Sequence, residues 1–225
     1  MRSFLLLFIL ICIQNLNGQS KKLEPFTAIR VAAGVKVELY PSDTHKADYT
    51  IHKGSEEDLV IEVNNDILTV KIQSKKGKYN RNNTSATVKV YAKEIRSVDC
   101  SSGSSLRSDN VWKSPEMRIE VSSGANCRIG IDTENARAES SSGASLTLYG
   151  NAGEISMEAS SGAKIDGLSL TARSVNADVS SGAGISIHVT ESIKADASSG
   201  GTIKYKGNPD KKNIHTGMSG VVKSI

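Results

Sequence analysis

The sequence predicts an all-β chain organised as a parallel β-helix (solenoid) with about 18–21 residues per coil. Three observations carry this. A Ser-Ser-Gly triplet recurs, its glycine falling at Gly103, Gly124, Gly143, Gly162, Gly182 and Gly200, with a degenerate seventh copy at Met218-Ser219-Gly220. Self-similarity at such a period marks a solenoid, in which each coil buries its apolar face only by stacking on its neighbours. The five residues before each triplet alternate with period two: Met117–Val121, Ala136–Ser140, Ile155–Ala159, Val175–Val179 and Ile193–Ala197 place small or apolar residues at first, third and fifth positions, Ser140 excepted. After each glycine a small residue leads into a second alternating strand, with Leu106, Cys127, Leu146, Ile165, Ile185 and Ile203 facing inward. An antiparallel sandwich has no reason to repeat one residue identity at one register. A solenoid rebuilds the same corner on every coil.

The elements follow in chain order. Met1-Arg2-Ser3 and the apolar run Phe4–Ile13 form a signal-peptide pattern, too short to span a bilayer, with Gly18 suited to the cleavage position. Residues 1–18 are therefore expected to be a cleavable signal and the mature chain to begin at Gln19, with no transmembrane segment. Secretion leads to the periplasm or the outer cell surface. Residues 19–97 lack the triplet but keep β character: Ile29–Val31 and Val35–Leu39 alternate, Leu59–Val63 and Ile67–Ile72 flank an Asn64-Asn65-Asp66 turn as a hairpin, and Ala86–Tyr91 forms a strand. This part reads as an N-terminal cap and first coils of one domain whose repeat occupies 98–225. Between the hairpin and that strand lie a basic stretch at 75–83 and a formal glycosylation sequon at Asn82-Asn83-Thr84. In the repeat, the glycine is the corner, and Asn110–Pro115 is a loop that absorbs a length difference.

The net charge of +4 has no concentrated basic stripe, which argues against nucleic acid as a partner. Residues 19–97 carry 14 basic and 10 acidic side chains, and residues 98–225 carry 13 and 14, so neither half is polarised. With Cys12 in the signal, Cys100 and Cys127 remain; their inward places predict two buried thiols.

Taken together, the Phe26–Val31 strand, Gly34-Val35-Lys36, the hairpin around Asn64–Asp66, the stacked Ser-Ser-Gly-Ala coils and the ending Gly207-Asn208-Pro209 to Ser219–Ile225 resemble the head GIN domain family of auto-transporter adhesin-like proteins of Bacteroidetes. The resemblance spans essentially the whole mature chain. It implies a right-handed β-helix exported to the cell envelope, with no established biochemical activity and no catalytic residues to carry over.

The most suggestive constellation is an acidic ladder. Asp99, Glu120, Glu139, Glu158, Asp178 and Asp196 stand four residues before each repeat glycine and face outward. Carboxylates stacked at about 5 Å repel one another. They make either a cation-binding face, for which Ca²⁺ is the natural occupant, or a solvated face neutralised by Arg118, Arg137 and Lys194 on the same strands. The flat row favours neutralisation, since Ca²⁺ wants a cage. The repeated serines lack the adjacent base that a nucleophile needs, because His45, His52, His188 and His215 follow no motif, so their hydroxyls are expected to bond between coils or to the corner backbone. No zinc spacing or P-loop is present, and no cofactor is expected. A β-helical polysaccharide lyase or hydrolase is the enzyme alternative. Its acids would cluster and its aromatics would line a groove, whereas here acids repeat evenly and aromatics make up 4% of the chain. The expectation is a non-catalytic module for adhesion or ligand binding, its partner an envelope or host glycan or protein, with a structural envelope component as the alternative.

Overall fold

The computed structural model describes residues 19–73 and 84–225. The expected signal segment, the stretch 75–83 and most of the sequon lie outside those residues. The described chain is nearly all β and winds into a parallel solenoid of about seven turns.

The corner is where the coils are joined. In Ser122-Ser123-Gly124-Ala125 both central residues are left-handed, Ser123 at φ 53° and Gly124 at φ 70°, and the Ala125 N–H donates to the Ser122 carbonyl at 3.1 Å. Two positive φ values in succession make this a type I′ turn. A Cβ on the glycine at 103, 124, 143, 162 or 182 would meet nothing within 4 Å, so glycine is required there by its dihedral and not by space. The glycine N–H of each coil then donates to the second-serine carbonyl of the next, from Gly34 onto Ser102 through Gly182 onto Ser199, at 3.0–3.1 Å. This backbone ladder replaces the hydroxyl bonding expected from the sequence. Among the described residues the triplet hydroxyls bond to no protein group; the first serine is half-buried and the second exposed.

Two corners differ from the triplet reading. Ala32-Ala33-Gly34-Val35 is an additional corner, with Ala33 at φ 57° and Gly34 at φ 77°, hidden from a serine-based alignment. In the last corner Gly217–Gly220, Ser219 (φ 55°) takes the glycine position, since Gly201 is in register with Gly220 and Thr202 with Val221. Gly220, like Gly201, stands where four earlier coils have Ala125, Ala144, Ala163 and Ala183, and a Cβ there would lie 2.0 Å from the Ala197 carbonyl oxygen.

The N-terminal strands are β1 (Gln19–Lys22), β2 (Ala28–Ala32), β3 (Lys36–Pro41), β4 (Lys46–Lys53), β5 (Leu59–Asn64), β6 (Ile67–Ile72), β7 (Ser85–Ala92) and β8 (Ser97–Cys100). Five long strands follow: β9 (Ser105–Val121), β10 (Asn126–Ser140), β11 (Ser145–Ala159), β12 (Lys164–Val179) and β13 (Gly184–Ala197). The chain closes with β14 (Thr202–Lys206), β15 (Lys211–Thr216) and β16 (Val221–Ser224). Each long strand leaves one corner and runs into the next, so the coils build two ladders. The leading ladder, of segments running into corners, is ordered β5-β6-β2-β8-β9-β10-β11-β12-β13-β15. The trailing ladder is β1-β4-β7-β3-β9-β10-β11-β12-β13-β14-β16. Stacking is out of sequence at the start. The β2–corner–β3 coil lies between β6/β7 and β8/β9, so the chain moves outward to build the end and returns past its own first coil.

The variable spacing is absorbed inside continuous strands. Between the pairs Arg107–Arg128 and Val111–Gly130, β9 holds two more residues than β10. The expected Asn110–Pro115 loop is therefore part of β9: a bulge over Ser108–Asn110 takes up the extra residues, and Val111–Ser114 pair regularly with β10, with Trp112 inward beside Ile131. Trp112 is buried; its indole N–H donates to Ser108 Oγ at 2.9 Å, and that hydroxyl donates to the Leu39 carbonyl at 3.0 Å.

The interior is one apolar cluster from Leu23 to Tyr205. Cys100 and Cys127 are buried free thiols, and the neighbouring Cys127 together with burial pushes the Cys100 thiol well above its ordinary value. At the N-terminal end, antiparallel pairing of β1 with β4, β4 with β7 and β5 with β6 breaks the parallel stack, and Lys21 Nζ donates to the Ile61 carbonyl at 2.6 Å across the end. At the other end the inward register turns partly polar: Lys212 and Thr216 stand in register with Ile193 and Ala197, and Ser224 with Tyr205. Inward polar groups on edge strands disfavour stacking by another chain.

Among the described residues the inward Ser140 hydroxyl has no partner, and it sits between Val121 and Ala159. Ser140→Ala is therefore expected to stabilise by about 1 kcal/mol, while Gly143→Ala destabilises by about 1–2 kcal/mol through its left-handed dihedral alone. Urea midpoints check both. The N-terminal end is expected to loosen in acid. The Tyr49 hydroxyl, donating to Glu56 at 2.6 Å, and the Gln19 amide, at 2.8 Å, hold the Glu56 carboxyl below its ordinary 4.5. The same carboxylate raises Tyr49 to about 12. A lowered native pKa contributes stability above the unfolded value that is lost as pH falls through the native one. Hydrogen-exchange protection of β1, corrected for intrinsic rates, should drop below pH 4.5, and Tyr49→Phe should remove that dependence.

Candidate functional site: the outer face of the leading ladder

Strand register turns each outward position of the repeat into a column. Glu120, Glu139, Glu158, Asp178 and Asp196 are successive partners, preceded by Asp99 beside Glu120. The six carboxylates thus form the single row expected from the triplet spacing. The row ends on Arg30 at one side and His215 at the other.

Five of the six carboxylates are paired. Asp99 bonds Arg30 at 3.1 Å, Glu120 bonds Arg118, Glu139 bonds Arg137, Glu158 bonds Arg137 at 2.9 Å, and Asp196 lies 3.7 Å from Lys194. Arg137 bridges two coils, and its hydrogen bond with Glu139, aided by Glu158, raises its pKa above the ordinary arginine value. Asp178 has no ion-pair partner among the described residues: its own strand carries Asn176, and the strands on either side carry Ser156 and Lys194, the latter paired with Asp196. Asp99, Glu120, Glu139, Glu158 and Asp178 of the row and the first serines of four triplets line a shallow trough of about 230 Å³. A flat row already neutralised by guanidinium groups lacks the cage that Ca²⁺ prefers, and among the described residues no group of three or more His, Cys, Asp or Glu side chains is placed to hold a metal.

Beside the acid row runs a second recess of about 550 Å³ across five strands of the same face. No repeat rule had marked it. One of its columns is Asn135, Glu154, Ser174, Ser192, Lys211, and the next is Ser156, Asn176, Lys194, Asn213. Short side chains at Ser156, Ser174 and Ser192 lower the floor. Ser174 and Ser192 hydroxyls bond each other at 2.7 Å, while the side chains of Asn135, Ser156, Asn176, Asn213 and Lys211 have no protein partner among the described residues. The only sequence signal for this recess was the change from long to short residues at outward positions.

The aromatic residues are committed elsewhere. Trp112 and Tyr205 are buried. On the trailing ladder Tyr149 lies over Gly130, where a Cβ would come within 2.4 Å of its ring. Its hydroxyl donates to the Ser108 carbonyl at 2.8 Å, and Arg128 covers the ring at 5.0 Å. Tyr40 and Tyr91 stack on each other at 5.5 Å, with Lys46 4.3 Å from the Tyr91 ring centre. No triplet serine has a histidine within hydrogen-bond reach among the described residues.

A sequence profile of the family described as "Putative auto-transporter adhesin, head GIN domain" matches residues 25–209. The chain belongs to that family. Its fold recurs in the crystal structure of a "putative adhesin" from Bacteroides fragilis, with a TM-score of 0.81 and 19% identity over 92% of this chain and 96% of that one. A "putative adhesin" from Parabacteroides merdae gives a TM-score of 0.72 and 19% identity over 92% and 95%. A "Putative lipid binding protein" from Parabacteroides distasonis gives 0.68 and 21% identity over 94% and 98%. Likeness at these identities shows the fold alone. No curated protein matches the sequence. Within the described head GIN domain residues, no helix is long and apolar enough to cross a membrane.

The charge balance of the row predicts three thermal responses. Arg137→Gln should lower the melting temperature, and less so in 1 M salt, because screening weakens exposed pairs and their repulsions alike. Asp178→Asn, removing the unpaired carboxylate between Glu158 and Asp196, should raise it slightly. Added Ca²⁺ or chelator should leave it unchanged; a rise with Ca²⁺ would restore the cation face.

Proposed function

We propose that this head GIN domain protein is an exported, non-catalytic binding module, delivered by residues 1–18 to the periplasm or cell surface, where it serves adhesion by holding an extended ligand. The observation that carries this reading is the recess of about 550 Å³ on the leading ladder, which offers polar side chains on each of its five strands, those of Asn135, Ser156, Asn176, Lys211 and Asn213 without a protein partner among the described residues. A surface of this kind suits contact with a long repetitive ligand better than enclosure of a small one. Catalysis finds less support. The carboxylates of the row are evenly spaced and mostly ion-paired, and Glu154, the one acid lining the recess, has no second carboxylate there to share acid and base roles across a sugar.

The family description and the adhesin-like neighbours agree with a contact role. An acyl chain inside the coils is disfavoured, because inward residues from Val31 to Ile203 fill the interior and are buried. A lipid ligand would have to lie on the surface. The test is retention of purified mature protein on a glycan array, alongside capture from envelope and host-matrix extracts and an assay for reducing-sugar release. Saturable retention without sugar release is expected. Release of reducing ends would make the protein an enzyme, and absence of any retention would leave a structural envelope component.

A further inference from the structure

Resting on the binding reading above, we infer that the recess on the leading ladder takes an extended acidic glycan, with an anionic group seated on the lysines at its C-terminal end. The floor is polar and shallow: Ser174 and Ser192 hydroxyls pair at 2.7 Å with acceptor capacity to spare, and Glu154 beside them in the same column keeps an anionic group away from that part of the recess. Asn135 and Asn176 present planar amides, each with a donor and an acceptor side able to meet neighbouring sugar hydroxyls. Coils stack at about 4.8 Å, close to the length of one hexose in an extended chain, so a glycan lying along the axis meets a fresh polar group at every sugar. The recess would hold about four to five units.

The charge is at one end. Lys194 and Lys211 stand outward on the last strands of the recess, and Lys212, in the inward register of the last strand, borders it at the C-terminal end of the stack. Lys211 has no partner among the described residues, Lys194 is only loosely held 3.7 Å from Asp196, and Lys212 lies 3.3 Å from the Asn208 side-chain oxygen. From Ser192 to Ile225 the chain carries six lysines against two aspartates, an excess equal to the +4 of the whole chain when Glu191 is left outside. The acid row flanks the recess along its length, which confines an anionic group to the lysine end and fixes the direction of the ligand.

Other polymers fit less well. Nucleic acid bases want aromatic platforms, and no aromatic residue lines this recess. A peptide adding as a strand wants an open edge, but β10, β11 and β12 are paired on both sides. An acyl chain wants an apolar cleft, whereas Ile155, Val175 and Ile193 beneath the floor are 2% exposed.

The test is calorimetric titration of the mature protein with a hexasaccharide of the cellohexaose backbone carrying one terminal uronate, the same backbone carrying one terminal sulfate, and neutral cellohexaose. At least one acidic chain should bind at least tenfold more tightly than cellohexaose, and the two acidic arms tell carboxylate from sulfate. Lys211→Glu with Lys212→Glu should weaken that binding at least tenfold, and Ser174→Leu should block it, with melting curves confirming both folds. Lys204→Glu with Lys223→Glu, on the trailing ladder, should leave it unchanged. Equal binding of charged and neutral chains would overturn the acidic preference while keeping the binding module. Binding indifferent to the lysine pair and to Ser174→Leu would overturn the site. Binding of nucleic acid or protein with no oligosaccharide bound would overturn the ligand class, and no binding in the array or the titration would overturn the module itself.

Discussion

Everything in this molecule hangs on a left-handed pair of residues repeated at one edge. A type I′ turn needs two successive positive φ values, which most side chains resist. Serine tolerates the first and glycine takes the second without strain. Because each corner repeats the same dihedrals, its glycine N–H meets the carbonyl of the next corner at nearly constant distance from Gly34 to Ser199. The ladder is made by backbone alone, so the serine hydroxyls are left outside the structural account. Small size and tolerance of the left-handed region are what the triplet supplies.

Fixing the corners fixes everything outward. Once strands stack in register, a residue type repeated in sequence becomes a column at about 5 Å spacing, and a column of carboxylates has to be neutralised or pay in repulsion. Arg118 and Arg137 do this by reaching across coils; beyond them the column turns to Ser156 and Asn176, and Asp178 is left without an ion-pair partner among the described residues. The same grid turns a run of short side chains into a recess, with Ser156, Ser174 and Ser192 as its floor. Surface relief in a solenoid is thus written in side-chain length, since its backbone faces are flat.

Much of the fold was legible because a solenoid makes the local and global repeats coincide. The alternation before and after each triplet placed the inward residues correctly, the hairpin over Leu59–Ile72 formed around Asn65 and Asp66, and the acid row assembled as its spacing required. The misreadings share a cause, namely reading residue identity where the structure uses conformation. Ala33-Gly34 makes a corner without serine. Ser219 stands at a glycine position, which an alignment on Gly220 shifts by one. Asn110–Pro115 looked like a loop by composition, yet a bulge over Ser108–Asn110 keeps it in β9, with Trp112 inward beside Ile131. The recess was not legible, since no single residue type marks it.

The sequence by itself determined the period, the inward and outward faces and the charge carried on each, because these depend only on alternation along one strand. Tertiary structure decided the order of stacking, in which β2 and β3 lie beneath strands that follow them in the chain. It also decided which carboxylates share an arginine and where short side chains gather next to lysines. Those depend on which strand lies beside which, and pairing between strands distant in sequence is settled by register and packing. The triplet therefore specified a corner in advance, and only the stacked coils turned the residues around it into a surface that can hold a ligand.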